Sequence, residues 1–505
     1  MSNFLDYTKS VNTIKSPFAS PMGGILKYVQ EEDNYLNTSF FKDKKIVTIE
    51  DINSNIQIFE EKLIKIKSLK KEINDSFLSD VEKKFLLNSL NSVGIKYIMF
   101  KSSVYLEAEK AGFELTDEQR VFYLRRVNKL QDMVYGPEIS DIYSEKQAIL
   151  DKLQRLINSK GDRLSDEEKD FISLKLGLVS GLKSNTKNGI KKNESTIEVD
   201  FSKIYISKQK VIELFEILVD LYGLSTVKIS VENALNFSVL KIDDENESEN
   251  GKYNYKIVLP ESKLELTSLK RIFELFDHEI GVHAIRGYNG TKTLNTAGDG
   301  YVEVEEGFAK LSELLFDKKL ESLKIEPGPN HIVGFFAENY DGDDTRKFIE
   351  IYYKLTKNPG ISEEQIKKDS LNLLLRIKRF VSLKEKGANR KDVSYTRGQT
   401  QVVDYLQSAS DVDRQNFLKD FYFAKLSFED IGLVEEFRAS LGIDETELKY
   451  PLWIGKILYK KLLGENITLA GLQEEDFRFG LIDESTFLNV DSEVEIIRKQ
   501  ILELL

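Results

Sequence analysis

The amino-acid sequence predicts a mainly helical α+β fold, in which a small antiparallel β-sheet lies beside one histidine-bearing helix. Three observations carry that prediction. Apolar residues recur at steps of three and four over most of the 505 residues. One stretch, residues 226–259, switches to short runs of β-branched and aromatic residues. Directly after it comes a helical pattern that holds two of the chain's three histidines.

Taken in order, residues 1–48 read as an irregular N-terminal segment, broken by Pro17, Pro21 and the pair Gly23-Gly24. A helical domain follows over 49–180, with helix-period patterns in NSNIQIFEEKLIKIKSLKKEI, VEKKFLLNSLNSVGIKYIMF and EQRVFYLRRVNKLQDMV. SGLKSNTKNGIKKNES, residues 180–195, has almost no apolar content and reads as a linker or loop. Residues 196–425 form the predicted core of the protein. They open on a helix at 208–223 and continue through three strands, TVKISV, FSVLKI and YNYKIVL. TSLKRIFELFDHEIGVHAIRG, residues 267–287, has a Ser/Thr start and a glycine stop and is the histidine-bearing helix. The remainder is helical, with 426–505 as a C-terminal helical region.

Composition narrows the function. Hydrophobic residues at 41% and charged residues at 31% describe a globular chain with sizeable cores. A net charge of −12 argues against nucleic-acid and anionic-membrane partners, which need basic patches. The first residues lack a charged start followed by a long apolar core, so no secretory signal is expected and the expected location is cytoplasmic. With no cysteines there are no disulfides, thiolate ligands or cysteine nucleophile. Oligomeric state is not legible.

The chemistry concentrates in HEIGVH, where His278 and His283 stand five apart with Glu279 beside the first. Histidines four apart differ by roughly 40° around a helix and share a face; five apart they differ by about 140° and do not. One extra residue in the turn, a π-bulge, restores them to one side, and Gly281 is where the backbone absorbs it most easily. Two such histidines point to zinc, which needs a third protein ligand and an open position. A carboxylate is the expected third ligand, from EVEEGFAKLSELL, where Glu303 and Glu306 lie one turn apart and Glu305 on another face. Glu279 then has the place of a general base. By fold-level analogy, strands before a metal-binding helix match the layout of zincin-type peptidases. A glutamate on a following helix matches the way the gluzincin group completes its site, so a zincin-like, gluzincin-type catalytic core is expected. The plainer alternatives are a structural His–Glu pair and a solvated acidic helix start. His331, in PGPNHIVG, reads as a loop residue.

HEIGVHAIRGYNG and GDGYVEVEEGFA together resemble the signature of the tyrosine/phenylalanine carboxypeptidase family, which includes microtubule-associated tyrosine carboxypeptidase and bacterial proteins named for a Q-E-G-L-A motif. VYGPE, residues 134–138, and KDVSYTRG, residues 391–398, extend the similarity to about residues 115–410. Val282 and Phe308 stand where the family pattern has threonine and leucine. The resemblance implies His278, His283 and Glu306 as ligands to one zinc per chain and Glu279 as base. It offers Arg286, Asn289 and Arg397 to hold the substrate's terminal carboxylate, arginine being suited to bidentate pairing. Tyr395 would donate to the oxyanion. The implied function is a zinc metallocarboxypeptidase that removes a C-terminal Tyr or Phe from a peptide or protein. The alternatives are a non-catalytic interaction protein with a structural metal, or another zinc amidohydrolase.

Overall fold

The computed structural model describes residues 4, 6–8, 10, 11, 48–110, 112–178, 200–224, 227–232, 237–241, 255–294, 300–443 and 445–504. The predicted linker at 180–195 and most of 1–48 lie outside the described residues. Residues 4, 6–8, 10 and 11 are helical, where the breaker content of 1–48 predicts irregular chain. Phe4 is drawn into the interior by stacking on Phe437, with ring centroids 6.3 Å apart.

Helices Ile49–Asp75, Asp80–Lys110 and Asp117–Tyr135 pack on one another, as the helical period predicts. Two of them begin at capping boxes, Thr48 with Asp51 and Thr116 with Gln119, which satisfy backbone donors that a helix start otherwise leaves open. Asp80–Lys110 is buried along much of its length. Its small residues, among them Ser89, Ser92 and Ser103, let neighbours approach on several sides.

The sheet comprises β1 (Val227–Glu232), β2 (Ser238–Lys241) and β3 (Tyr255–Pro260). It is mixed, not antiparallel as expected. The order is β1-β3-β2, with β3 parallel to β1 and antiparallel to β2. The reason is burial. Ile257, Val258 and Leu259 are successive and all buried, so β3 is covered on both faces and takes the centre, while β1 buries only Val227. Tyr255 ties the sheet to the helix beside it by donating its hydroxyl to Gly287 O at 2.9 Å.

From Tyr301 onward the chain is mostly helical. Helix Tyr301–Leu314 packs along Lys391–Ser408 and also against Leu269–His278, which in turn packs on Ile454–Leu462. The first of these contacts brings backbone against backbone. A Cβ on Gly307 would stand 2.5 Å from the Gly398 carbonyl carbon, and one on Gly398 would overlap the Glu303 carbonyl oxygen. Only glycine fits at either position. The main hydrophobic cluster takes side chains from Phe4 to Ile501, and a second cluster joins Ile139, Ile149, Phe336, Phe348, Leu374 and Val393. Among the described residues no helix is long and apolar enough to cross a membrane.

Candidate metal centre

Ser268 caps the start of helix Leu269–His278 by accepting from Arg271 N. The helix then widens into a π-helix over Glu279–Ala284 before resuming as Ile285–Lys292. The extra residue demanded by the five-residue spacing is therefore present, and the His278 and His283 ring centroids come within 5.1 Å. Surrounding groups hold the widened turn in place. Tyr422 donates its hydroxyl to Gly281 O at 2.8 Å. Trp453 lies so close that a Cβ on Gly281 would stand 3.2 Å from its ring. Asp277 accepts from Gly455 N and Lys456 N at 2.9 and 3.0 Å, fixing the turn to the start of helix Ile454–Leu462. Burial pushes the Asp277 carboxyl up to about 7, even with Arg478 and Lys456 opposing.

Each histidine turns one ring nitrogen toward a carboxylate. His283 Nδ1 is 2.6 Å from Glu305 Oε1. Arg286 donates to Glu305 at 2.9 Å and Lys425 at 2.8 Å. Burial opposes ionisation of Glu305, but Lys425, Arg286 and His283 hold its carboxyl well below the usual range. Burial likewise opposes charge on His283, yet Glu305, Glu306 and Glu279 raise its pKa. His278 Nδ1 lies 2.6 Å from Glu313 Oε1. That contact meets the distance of a hydrogen bond but not its direction, so Nδ1 has no directed partner and the pair is ionic in character. Arg271 and Lys310 hold Glu313 in turn, at 2.7 and 2.8 Å.

With both Nδ1 atoms facing carboxylates, both Nε2 atoms are left for a shared centre. His278 Nε2 is 4.0 Å from Glu279 Oε1, and His283 Nε2 is 4.0 Å from Glu306 Oε1. These separations are too long for hydrogen bonds. They approach the distance of about 3.3 Å between neighbouring ligands on one tetrahedral zinc. Donor atoms of His278, Glu279 and His283 all lie within 4.8 Å of one another. The tightest set thus includes Glu279, with Glu306 adjoining it through His283. Buried imidazoles backed by carboxylates, with further carboxylates in front, suit a divalent metal of the zinc class.

The expected carboxylate-binding residues have other partners. Arg286 is fully buried. Its guanidinium donates to Phe421 O, Ala424 O, Leu426 O and Glu305, and stacks 3.9 Å from the Phe421 ring centroid. Asn289 is also fully buried, donating to Tyr422 O and Lys449 O and accepting from Lys449 N. Neither is offered to a substrate; both pin the centre to the chain around 421–449. Arg397 pairs with Glu145 and donates to Tyr135 O and Pro137 O, which clamps the VYGPE turn. Tyr395 is half-buried beside Glu306, which is the charge that acts most strongly on it. His331 belongs to helix Pro329–Asn339 and not to a loop, because Pro329 starts that helix; its Nε2 is 3.2 Å from Glu145.

Sequence reasoning missed Glu313, Lys425, Tyr422 and Trp453 at this centre. For Glu313 a signal existed, since it follows Glu306 by seven residues, two turns along one helix face. Residues 262–454 match the model of a protein family described as microtubule-associated tyrosine carboxypeptidase. This segment is tyrosine carboxypeptidase-like. The carboxypeptidase-like segment starts well after residue 115, where the residue-level resemblance begins, and runs past its end at about 410 to include Trp453 and the chain that Asn289 grips. No curated protein and no solved structure matches the chain.

Proposed function

We propose that this chain is a zinc metallocarboxypeptidase of the gluzincin type that removes a C-terminal aromatic residue, Tyr or Phe, from a peptide or protein. The observation that carries the reading is the convergence of the His278 and His283 Nε2 atoms with Glu279 and Glu306, inside the carboxypeptidase-like segment. His278, His283 and Glu306 would hold one zinc ion. Zinc bound there supplies Lewis acidity, easing loss of a proton from water and polarising the carbonyl to be attacked.

The chain's own residues do the rest. Glu305 keeps the proton of His283 on Nδ1 and so presents the Nε2 lone pair forward. Glu279 accepts a proton from the attacking water and passes it to the leaving amine. Burial, and then the charge of Glu306, push the Tyr395 hydroxyl up, so it stays protonated and is a donor for the oxyanion of the tetrahedral intermediate. A microtubule substrate forms no part of the proposal, because a net charge of −12 disfavours docking on an acidic surface.

The test is release of the last residue from synthetic peptides ending in Tyr, Phe, Leu or Lys, read by mass spectrometry, with Glu279→Gln as control. The expected outcome is loss of one aromatic residue, reduced at least a thousandfold in Glu279→Gln while zinc stays bound. Turnover that survives Glu279→Gln would remove the mechanism. No cleavage of any peptide by zinc-loaded protein would remove the function.

A further inference from the structure

With Arg286, Asn289 and Arg397 engaged elsewhere, a different cation has to meet the substrate's terminal carboxylate. The turn that follows helix Glu363–Ile377 supplies one. It is held from every side. Arg376 makes a bidentate pair with Asp392, Nε to Oδ2 at 2.6 Å and Nη2 to Oδ1 at 2.9 Å. Lys378 is fully buried and donates to the carbonyls of Ala337, Tyr340 and Glu385. Phe380 N donates to Glu107 Oε1 at 2.6 Å, and Lys110 donates to Lys378 O at 2.7 Å.

Within this fastened turn Arg379 stands apart. Among the described residues its guanidinium makes no hydrogen bond or ion pair, and its Nε is sealed from solvent without a partner. Arg379 is half-buried, and an Nε–H sealed from water with no acceptor is costly, so the group calls for a partner. The backbone beside it is strained as well. Phe380 is a non-glycine residue at φ 67°, kept there by the Glu107 hydrogen bond and by its ring packing 5.2 Å from Phe100. Left-handed backbone at a bulky residue persists only where its surroundings impose it, and such positions gather at ligand sites.

The turn also borders the metal centre. Asp392, which Arg376 grips, lies one helical turn before Tyr395, and the Gly307–Gly398 crossing sets Tyr395 beside Glu306. Glu306 acts electrostatically on Arg376, Lys391 and Tyr395, and Tyr395 and Asp392 act on Arg379. Arg376, Arg379 and Lys391 therefore gather on one side of the centre, where Asp392 is held by Arg376 and Glu107 by Lys110 and Phe380 N. These carboxylates are thus taken by other partners, and the Arg379 guanidinium is left without a bonded counter-charge among the described residues.

We propose that Arg379 receives the α-carboxylate of the peptide's last residue, and so makes the site require a free C-terminus. The proposal rests on the carboxypeptidase reading but has its own test. Binding of N-acetyl-L-tyrosine and of N-acetyl-L-tyrosinamide to the zinc-loaded full chain is measured by titration calorimetry, for wild type, Arg379→Gln and Arg379→Lys. Wild type is expected to bind the acid at least tenfold more tightly than the amide. Arg379→Gln should bring that ratio close to one, and Arg379→Lys should lower it at least threefold, with affinity for the amide unchanged in both. A ratio unaltered in the variants, or no preference in wild type, overturns the proposal. Should Arg379→Gln fail to fold, the Arg379→Lys ratio decides alone. An Arg379-dependent preference in a protein that cleaves no peptide leaves the clamp standing and removes the carboxypeptidase reading. Cleavage with an unaltered ratio in the variants does the reverse.

Discussion

Glu305 and Glu306 are adjacent in the sequence and do unrelated work. A step of about 100° around the helix carries one into the interior and the other to the Nε2 side of His283. Glu305 is buried against His283, Arg286 and Lys425, so its charge is compensated three times over. Removing that charge leaves two buried cations short of a partner. Glu305→Gln should therefore cost about 3 kcal/mol of stability and weaken zinc binding by roughly tenfold to a hundredfold. Thermal melting and competition with a chromogenic chelator check the two effects; unchanged zinc affinity would mean His283 needs no such partner. At this scale the sequence was informative about residue types and their angular positions. Spacing pointed to His278 and His283 with Glu279 beside the first and left Glu303 and Glu306 both open; the family resemblance singled out Glu306. Spacing could not show that the face of Glu305 points inward, because Lys425 arrives from more than a hundred residues away. For the same reason Arg286 and Asn289 read as substrate ligands: the carbonyls they satisfy belong to a distant segment.

Among the elements, the π-helix was legible and the sheet order was not. A five-residue histidine spacing conflicts with the α-helical period locally, and only a widened turn resolves the conflict. Strand pairing is a non-local choice, and β3, with Ile257, Val258 and Leu259 buried in succession, takes the central place between β1 and β2. The contact between helices Tyr301–Leu314 and Lys391–Ser408 is the most exacting of the helix packings described. Gly398 meets the Glu303 carbonyl and Gly307 meets Gly398, so no side chain fits between them. Gly398→Ala should force the helices apart at a cost of about 3 kcal/mol or more, by overpacking against backbone that has no rotamer to yield. It should also displace Tyr395 from Glu306. Denaturant unfolding measures the first effect; a loss under 1 kcal/mol would show the helices slide freely.

Over the whole molecule, the main cluster gathers side chains from all four stretches that composition distinguishes, from Phe4 to Ile501. Composition marks where polar chain lies, but not which apolar faces meet across it. The second cluster is fastened by Glu338, whose carboxylate accepts from Ile139 N at 3.0 Å and from Ser140 N at 3.1 Å. Burial pushes its pKa up to about 7, with backbone donors from Ile139 and Ser140 opposing. The folded chain then holds a proton that the unfolded chain releases near pH 4.3. Stability should fall as pH rises from about 4.5 to about 7, by roughly 3 kcal/mol from this group alone. Glu338→Gln should remove that part of the slope, as read from melting temperatures at pH 5 and pH 7. A slope identical in the variant would place the cause elsewhere.

Trp453 is the sole tryptophan of the chain, fully buried against Gly281, with the Arg478 guanidinium 4.3 Å from its ring centroid. Its emission therefore reports from one place, the back of the widened turn, without interference from any other indole. The protein carries its own optical probe of that turn. Metal loading, a shift of the histidine backbone, or a change at Asp277 would each be readable as an intensity or wavelength change in unlabelled protein.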